Sequence, residues 1–183
     1  MHSYEMKKIA IFCDGEADGN PGPGGWTAIL IEPEGWVSLG GGDPLTTKNQ
    51  MELEAVIWAL RALPQPCEVL LFTDSVYVRD AMSKFREKQN AQESTIMART
   101  RAKNEDLWKE LDAENVWTEL SAETAKHDIT CQWFKADTGD GIVADINDVC
   151  DDLAKLEIEK GRLEVDLYEL EVTLNEELKK SRD

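Results

Sequence analysis

The stretch Lys7-Lys-Ile-Ala-Ile-Phe-Cys-Asp-Gly15 decides the fold of this 183-residue chain. Its apolar run predicts a buried strand over residues 7–13, which ends at an aspartate followed by a glycine. Working outward, two more strands are predicted over 26–32 and 36–39, joined as a hairpin by a turn at 33–35. A connection rich in glycine, proline and aspartate, residues 14–25, links the first strand to the second. The chain therefore opens with three strands.

The rest of the chain alternates helices with strands. A helix over 49–63 is predicted from apolar residues at helical spacing, and Pro64 ends it. The later predicted elements are a strand at 68–73, a helix at 75–84, a short helix at 104–111, a strand at 129–135, a loop at 137–146 and a helix from 147 to 156. This order indicates a mixed α/β (α+β) domain in which helices flank a sheet.

Residues 156–183 differ in character and are predicted to form a C-terminal helical extension of a domain that spans 1–155. A heptad-like stripe runs along Leu156, Leu163, Leu167, Leu170 and Leu174. As a helix this segment is roughly 40 Å long, at about 1.5 Å per residue, and Gly161 is the expected point of a break or bend. Three interpretations stay open: the helix covers the core, forms a coiled-coil dimer, or docks to an unknown protein partner.

Composition excludes several classes of protein. Hydrophobic residues make up 42% of the chain, which is enough for a core. No apolar run is long enough for a secretory signal or a membrane span, so we expect a soluble cytoplasmic protein with no membrane partner. Four scattered cysteines without a CxxC motif, and two histidines, predict neither a zinc site nor a disulfide framework. The cysteines are expected to be free thiols in a reducing compartment: Cys13, Cys67, Cys131 and Cys150.

The net charge of −17 is unusual for a protein that binds nucleic acid. Its distribution is uneven, because basic side chains outnumber acidic ones between Lys84 and Lys103. This basic segment is either an ordinary solvated helix face or a contact surface for phosphates.

Four acidic residues stand where elements begin or end. Asp14 and Asp74 are predicted to end the first and fourth strands, Glu52 to lie in the first turn of the first long helix, and Asp151 in the first turn or two of a late helix. Carboxylates in such places can converge at one edge of a sheet, and burying them together requires cations. Oxygen ligands select magnesium or manganese, and two such ions can support phosphodiester cleavage.

Six segments carry a resemblance to a known family. They are Ile11-Phe-Cys-Asp-Gly15, Gly19-Asn-Pro-Gly-Pro-Gly-Gly25, Thr46-Thr-Lys-Asn-Gln-Met-Glu-Leu53, Thr73-Asp-Ser75 with Tyr77-Val-Arg79, Asn104-Glu-Asp-Leu-Trp108 and Asn147-Asp-Val-Cys-Asp-Asp-Leu-Ala154. In this order and spacing the chain, over about residues 7–155, resembles bacterial-type (type 1) ribonuclease H. The resemblance implies a five-stranded mixed sheet flanked by helices. It also implies an endoribonuclease that hydrolyses the RNA strand of RNA–DNA hybrids with Mg²⁺, for which Mn²⁺ can substitute.

The resemblance also assigns roles to residues. Asp14, Glu52, Asp74 and Asp151 match the family's four catalytic, metal-binding carboxylates. Positions that contact the hybrid are matched by Gly15, Asn20, Thr47 and Asn49, and the family's basic handle by Lys84, Arg86 and Lys88. Asp148 stays a rival to Asp151, since it lies one helical turn earlier.

The chain departs from the family in two places. Asp137 stands where the family has a mobile histidine, and an aspartate cannot shuttle a proton near neutral pH as imidazole does. The basic handle has Phe85 but no tryptophan, which predicts salt-dependent binding through charge. His127 is expected to be a surface loop residue. The alternatives to an active hybrid nuclease are a catalytically weak hybrid-binding module recruited through the C-terminal helix, and a related nuclease acting on DNA.

Overall fold

A five-stranded mixed sheet forms the centre of the molecule. The computed structural model describes residues 6–89, 113–135 and 141–180, with side chains described for 6–86, 116–135 and 141–165. The elements are β1 (Lys7–Ala17), β2 (Gly22–Glu32), β3 (Gly35–Thr46), α1 (Lys48–Arg61), β4 (Cys67–Thr73), α2 (Val76–Gln89), α3 (Ala113–Thr124), β5 (Asp128–Trp133) and α4 (Ile142–Lys180). The strand order is β3-β2-β1-β4-β5, with β1, β2 and β3 antiparallel and β4 parallel to both β1 and β5. The predicted fold class is confirmed.

Side chains that alternate along β1 separate the two faces of the sheet. Ile9, Ile11 and Cys13 point into the larger core, which the apolar face of α1 covers. Phe12 points the other way and packs with Cys150 of α4 in a smaller cluster. The sheet is therefore covered by α1 on one face and by the first part of α4 on the other.

The first three strands are longer than predicted. β1 continues past Asp14 to Ala17, and β2 begins at Gly22, so most of the predicted connection 14–25 is strand. β3 reaches Thr46 rather than residue 39. Glycine and aspartate have low strand propensity, but ladder hydrogen bonds between neighbouring strands override that preference here.

Two helices also differ from prediction. α3 was not predicted, and the helix predicted at 104–111 lies outside the described residues. α4 begins at Ile142, inside the segment predicted as a loop, because Val143 and Ile146 pack against the smaller cluster. Residues 136–140 lie outside the described part of the chain. No helix among the described residues has both the length and the apolar character needed to cross a membrane.

α4 is one continuous helix through Gly161, so the expected break at that residue is wrong. Its side chains are buried at Cys150, Ala154 and Ile158, and every side chain from 159 to 165 is exposed. Leu163 is 61% exposed. The helix therefore covers the sheet only as far as Ile158 over the part whose side chains are described.

Candidate active site

Asp14 lies inside β1, paired with Thr27 of β2, rather than at the end of the strand as predicted. It is buried, at 5% exposure, and one of its oxygens, Oδ1, accepts a hydrogen bond of 2.7 Å from the Gly15 N–H. A Cβ at Gly15 would lie 2.3 Å from the backbone nitrogen of Glu52. Only glycine permits this approach of β1 to α1, which brings the Asp14 carboxylate next to that of Glu52.

Glu52 lies on α1 beyond its first turn, which contains no acidic residue, so the predicted first-turn position is wrong. The helix begins at Lys48, and the Thr47 hydroxyl caps it by accepting a 3.3 Å hydrogen bond from the Gln50 N–H. Glu52 is buried, and the Ser75 hydroxyl donates to its Oε2. This contact fixes the carboxylate and ties α1 to the end of β4.

Asp74 follows β4 directly, as predicted. Its carboxylate oxygen Oδ2 accepts a 3.2 Å hydrogen bond from Asn147 of α4, and its backbone carbonyl accepts one of 2.9 Å from the Trp133 indole N–H. The side chain is half-buried. Asp74 is thus held between α4 and β5 at the carboxyl end of β4.

Asp151 lies well inside α4, because that helix begins earlier than predicted. Its carboxylate pairs with Lys155 one turn later, and its side chain is 33% exposed. The negative charge of Asp151 raises the pKa of Asp14, which places the two carboxylates within electrostatic reach of each other. Asp148, the rival for this position, is exposed to solvent.

The four carboxylates are electrostatically coupled. Burial, followed by the charge of Asp74, raises the pKa of Asp14 to about 7, against the opposing effect of Lys48. Burial also raises the pKa of Glu52 to about 7, although the Ser75 hydrogen bond and Lys48 act in the opposite direction. The four carboxylates therefore come together from β1, α1, the end of β4 and α4. A nearby cation would stabilise their ionised form.

The donors suit a hard divalent cation, since all four groups are carboxylates. In the part of the chain that is described, no three His, Cys, Asp or Glu side chains already enclose a point where a metal ion could sit. Ser75, Asn147 and Lys155 instead hold Glu52, Asp74 and Asp151. These contacts orient the carboxylates, and each involves only one of the two carboxylate oxygens.

A cleft of about 410 Å³ opens beside Glu52 and Asp74. Two of the residues predicted to bind substrate line it, Asn49 and Lys84. Sequence reasoning missed its other polar and aromatic members, which are Lys48, Tyr77, Asp80 and Trp117. Trp117 lies on α3, a helix that the sequence analysis did not predict, so it was not assigned to this cleft.

The remaining predicted site residues are dispersed. Asn20 is exposed in the turn between β1 and β2, Thr47 serves as the cap of α1, and Arg86 is exposed on α2. The Lys88 side chain and all of Asp137 lie outside what the structure describes.

His127 lies in the connection between α3 and β5, a loop as predicted, but it is less exposed than expected of a surface residue. It is half-buried just before β5, and its Nδ1 accepts a 3.2 Å hydrogen bond from the Cys67 N–H. Burial lowers its pKa. The ring therefore has a structural contact at the opposite end of β4 from the carboxylates.

Comparison with known proteins agrees with this fold. Residues 6–159 match the RNase H family model, so the chain belongs to the RNase H family, a family of nuclease hydrolases. It is 45% identical over 134 residues to Ribonuclease H of Herminiimonas arsenicoxydans, covering 73% of this chain and 86% of that protein. Ribonuclease H of Psychromonas ingrahamii is 40% identical over 162 residues, covering 88% and 97%.

The fold itself is shared with solved structures. LC9-RNase H1, described as a type 1 RNase H with the type 2 active-site motif, superposes with a TM-score of 0.63 at 20% identity, covering 86% of this chain and 75% of that one. At that identity the likeness concerns the fold. The resemblance to bacterial-type ribonuclease H is confirmed.

Proposed function

We propose that this protein is an endoribonuclease that hydrolyses the RNA strand of RNA–DNA hybrids at the edge formed by Asp14, Glu52, Asp74 and Asp151. Membership of the RNase H family supports activity on such hybrids. The observation that carries the assignment of the site is the coupling of four carboxylates from four elements, two of them buried with pKa values raised to about 7. Burial of two carboxylates lowers stability unless cations offset it, and ionisable groups with such shifted pKa values are concentrated at functional sites.

The cofactor we infer is Mg²⁺, with Mn²⁺ as a substitute, held by the four carboxylates. When bound, a pair of such ions supplies an activated water and neutralises the leaving oxygen. The carboxylates differ in their hydrogen-bond partners and in their exposure to solvent. The Gly15 N–H and the Ser75 hydroxyl orient the two buried groups, Asp14 and Glu52, while the side chain of Asp151 is 33% exposed.

Substrate contacts are proposed for the residues that border this edge. Asn49 and Lys84 line the cleft beside Glu52 and Asp74, where an amide and an ammonium group can contact sugar hydroxyls and phosphates. Gly15 follows Asp14 in β1, and Asn20 in the β1–β2 turn and Thr47 at the cap of α1 are further proposed contacts. Arg86, which is exposed on α2, and Lys88 are the remaining proposed contacts. Binding through these cations should weaken steeply with salt.

Asp137 is proposed to occupy the place of the family's histidine. A carboxylate there is ionised near neutral pH and cannot take up and release a proton as an imidazole does. We therefore expect cleavage to be slower than with a histidine, or more dependent on Mn²⁺. An Asp137→His variant should accelerate cleavage in Mg²⁺ if the position is equivalent.

The catalytic domain is proposed to occupy about residues 1–155, with 156–183 as an extension. The exposed side chains at 159–165 support this division, and buried Ile158 suggests that the domain extends a few residues further. The RNA–DNA hybrid is the proposed partner. For the extension, a sedimentation measurement distinguishes a monomer, a coiled-coil dimer and a complex with another protein. The free thiols are in keeping with the cytoplasm.

The test is cleavage of a labelled RNA–DNA hybrid in Mg²⁺ or Mn²⁺, with double-stranded RNA and DNA as controls. We expect only the RNA strand of the hybrid to be cut, and Asp14→Asn to abolish cutting while the protein remains folded by circular dichroism. Hybrid binding without cleavage in either metal would favour the alternative, a binding module. Equal cleavage of DNA would refute the proposed substrate.

A further inference from the structure

Lys48 is a cation whose charge acts on both buried carboxylates, and it was not among the residues singled out from sequence. It is the first residue of α1, and Glu52 lies four residues later on the same helix face. Both residues line the cleft that also contains Asp74. The positive charge of Lys48 opposes the rise in the pKa values of Asp14 and Glu52 that burial causes.

Glu16 holds the Lys48 ammonium group in this position. The Lys48 Nζ donates a 2.7 Å hydrogen bond to the Glu16 carboxylate. Glu16 lies two residues after Asp14 in β1, so both side chains project from the same face of the sheet. The contact therefore restrains the half-exposed Lys48 side chain on the side of the cleft that Glu52 also lines.

We propose that Lys48 is an internal counter-ion of the carboxylate centre, which partly neutralises Asp14 and Glu52 and thereby weakens the binding of a divalent cation. The inference rests on the proposed function, since it concerns the same centre. A monovalent ammonium fixed beside these carboxylates stabilises their ionised form without metal and repels an incoming ion. Lys48 is thus a positioning residue that sets the metal concentration at which the centre fills.

The experiment measures Mn²⁺ binding to the full chain by isothermal titration calorimetry, near neutral pH and without nucleic acid. Lys48→Gln removes the charge and is expected to bind Mn²⁺ on the order of ten-fold more tightly than the unmodified chain. Lys48→Arg, which keeps the charge, should bind as the unmodified chain does. Lys8→Gln is the matched control, because Lys8 pairs with Glu68 at the far end of the sheet.

A second readout is thermal unfolding. In the presence of chelator, Lys48→Gln should melt at a lower temperature than the unmodified chain, because the buried carboxylates lose their counter-ion. Added Mn²⁺ should then raise its melting temperature by more than it raises that of the unmodified chain. In a Glu16→Gln background both effects should shrink, since the ammonium is no longer held.

Unchanged or weaker Mn²⁺ binding by Lys48→Gln, in a chain that does bind Mn²⁺, overturns the role given to Lys48 and leaves the proposed nuclease intact. If that variant only loses affinity for the hybrid, Lys48 is a phosphate contact and the inference is wrong. If no variant binds Mn²⁺, the metal centre of the proposed function fails, and the counter-ion role fails with it.

Discussion

The two parts of helix α4 share one backbone but have different surroundings. Residues 142–158 pack across β1, β2 and β3 and carry Asn147 and Asp151 to the carboxylate edge. Residues 159–165 continue the same helix with every side chain exposed, including Leu163 and Val165. Helical continuity is a local property of the backbone, whereas membership of the domain depends on burial. The proposed end of the catalytic domain therefore falls inside a helix and not at its end.

The function of the packed part of α4, residues 142–158, can be tested by replacing two of its carboxylates one at a time. Asp151→Asn should reduce hybrid cleavage by about 10² to 10³-fold, because the lost charge faces Asp14. Asp148→Asn, on an exposed position one turn earlier, should change the rate by less than about two-fold. The measurement is single-turnover cleavage of a labelled hybrid. Equal losses in both variants would remove the distinction between these two residues.

Two glycines test the packing difference. A Cβ at Gly25 of β2 would lie 2.3 Å from the Ala154 carbonyl oxygen, so Gly25→Ala must push α4 away and should cost about 2–4 kcal/mol of stability. A Cβ at Gly161 would meet no atom within 4 Å among the described residues, and Gly161→Ala should stabilise the helix by about 0.5–1 kcal/mol. Urea unfolding of both variants measures these free energies. Destabilisation by Gly161→Ala would reveal a contact that this geometry lacks.

Truncation locates the boundary between the two parts. A chain that ends after Leu156 loses buried Ile158 and should be destabilised by about 2–3 kcal/mol. One that ends after Lys160 keeps that side chain and should lie within about 0.5 kcal/mol of the full chain. Thermal or urea unfolding distinguishes the two, and folded protein of either length should still cleave the hybrid. A large loss of stability in the longer truncation would place the remainder of α4 inside the domain.

The pH dependence of stability should distinguish the buried carboxylate of Asp14 from an exposed carboxylate on the distal part of α4. Below about pH 4 Asp14 is protonated in both the folded and the unfolded chain. As the pH rises toward 7 the unfolded chain ionises first, because the folded pKa is about 7, and stability is lost. With chelator present, Asp14→Asn should therefore gain about 4 kcal/mol over the unmodified chain between about pH 4 and pH 8.

The matched variant is Glu164→Gln, which makes the same chemical change at an exposed position. It should show no such pH-dependent gain in urea unfolding. A pH-independent difference for Asp14→Asn would mean that this carboxylate is not desolvated in the folded chain.

Apolar periodicity and the quoted segments were enough to predict the sheet and α1, whereas the assignment of Asp14, Glu52, Asp74 and Asp151 to one metal centre stays a prediction. What they could not predict depends on long-range contacts. β1 extends to Ala17 because β2 pairs with it, although Gly15 and Asp14 disfavour strand. Likewise, Lys48 looks like an ordinary solvated lysine in sequence, because its partner Glu16 is distant in the chain.

The glycine at position 25 has a consequence for the geometry of the active site. Because the α4 backbone rests on bare main chain there, the gap between helix and sheet is set by atoms that have no rotamers to adjust. Asp151 lies on the same helix, one turn before Ala154. The distance between Asp151 and Asp14 therefore depends on the backbone contact between α4 and β2 at this glycine. A methyl group added at position 25 would therefore change the distance between these two carboxylates, and no side-chain rearrangement could compensate for it.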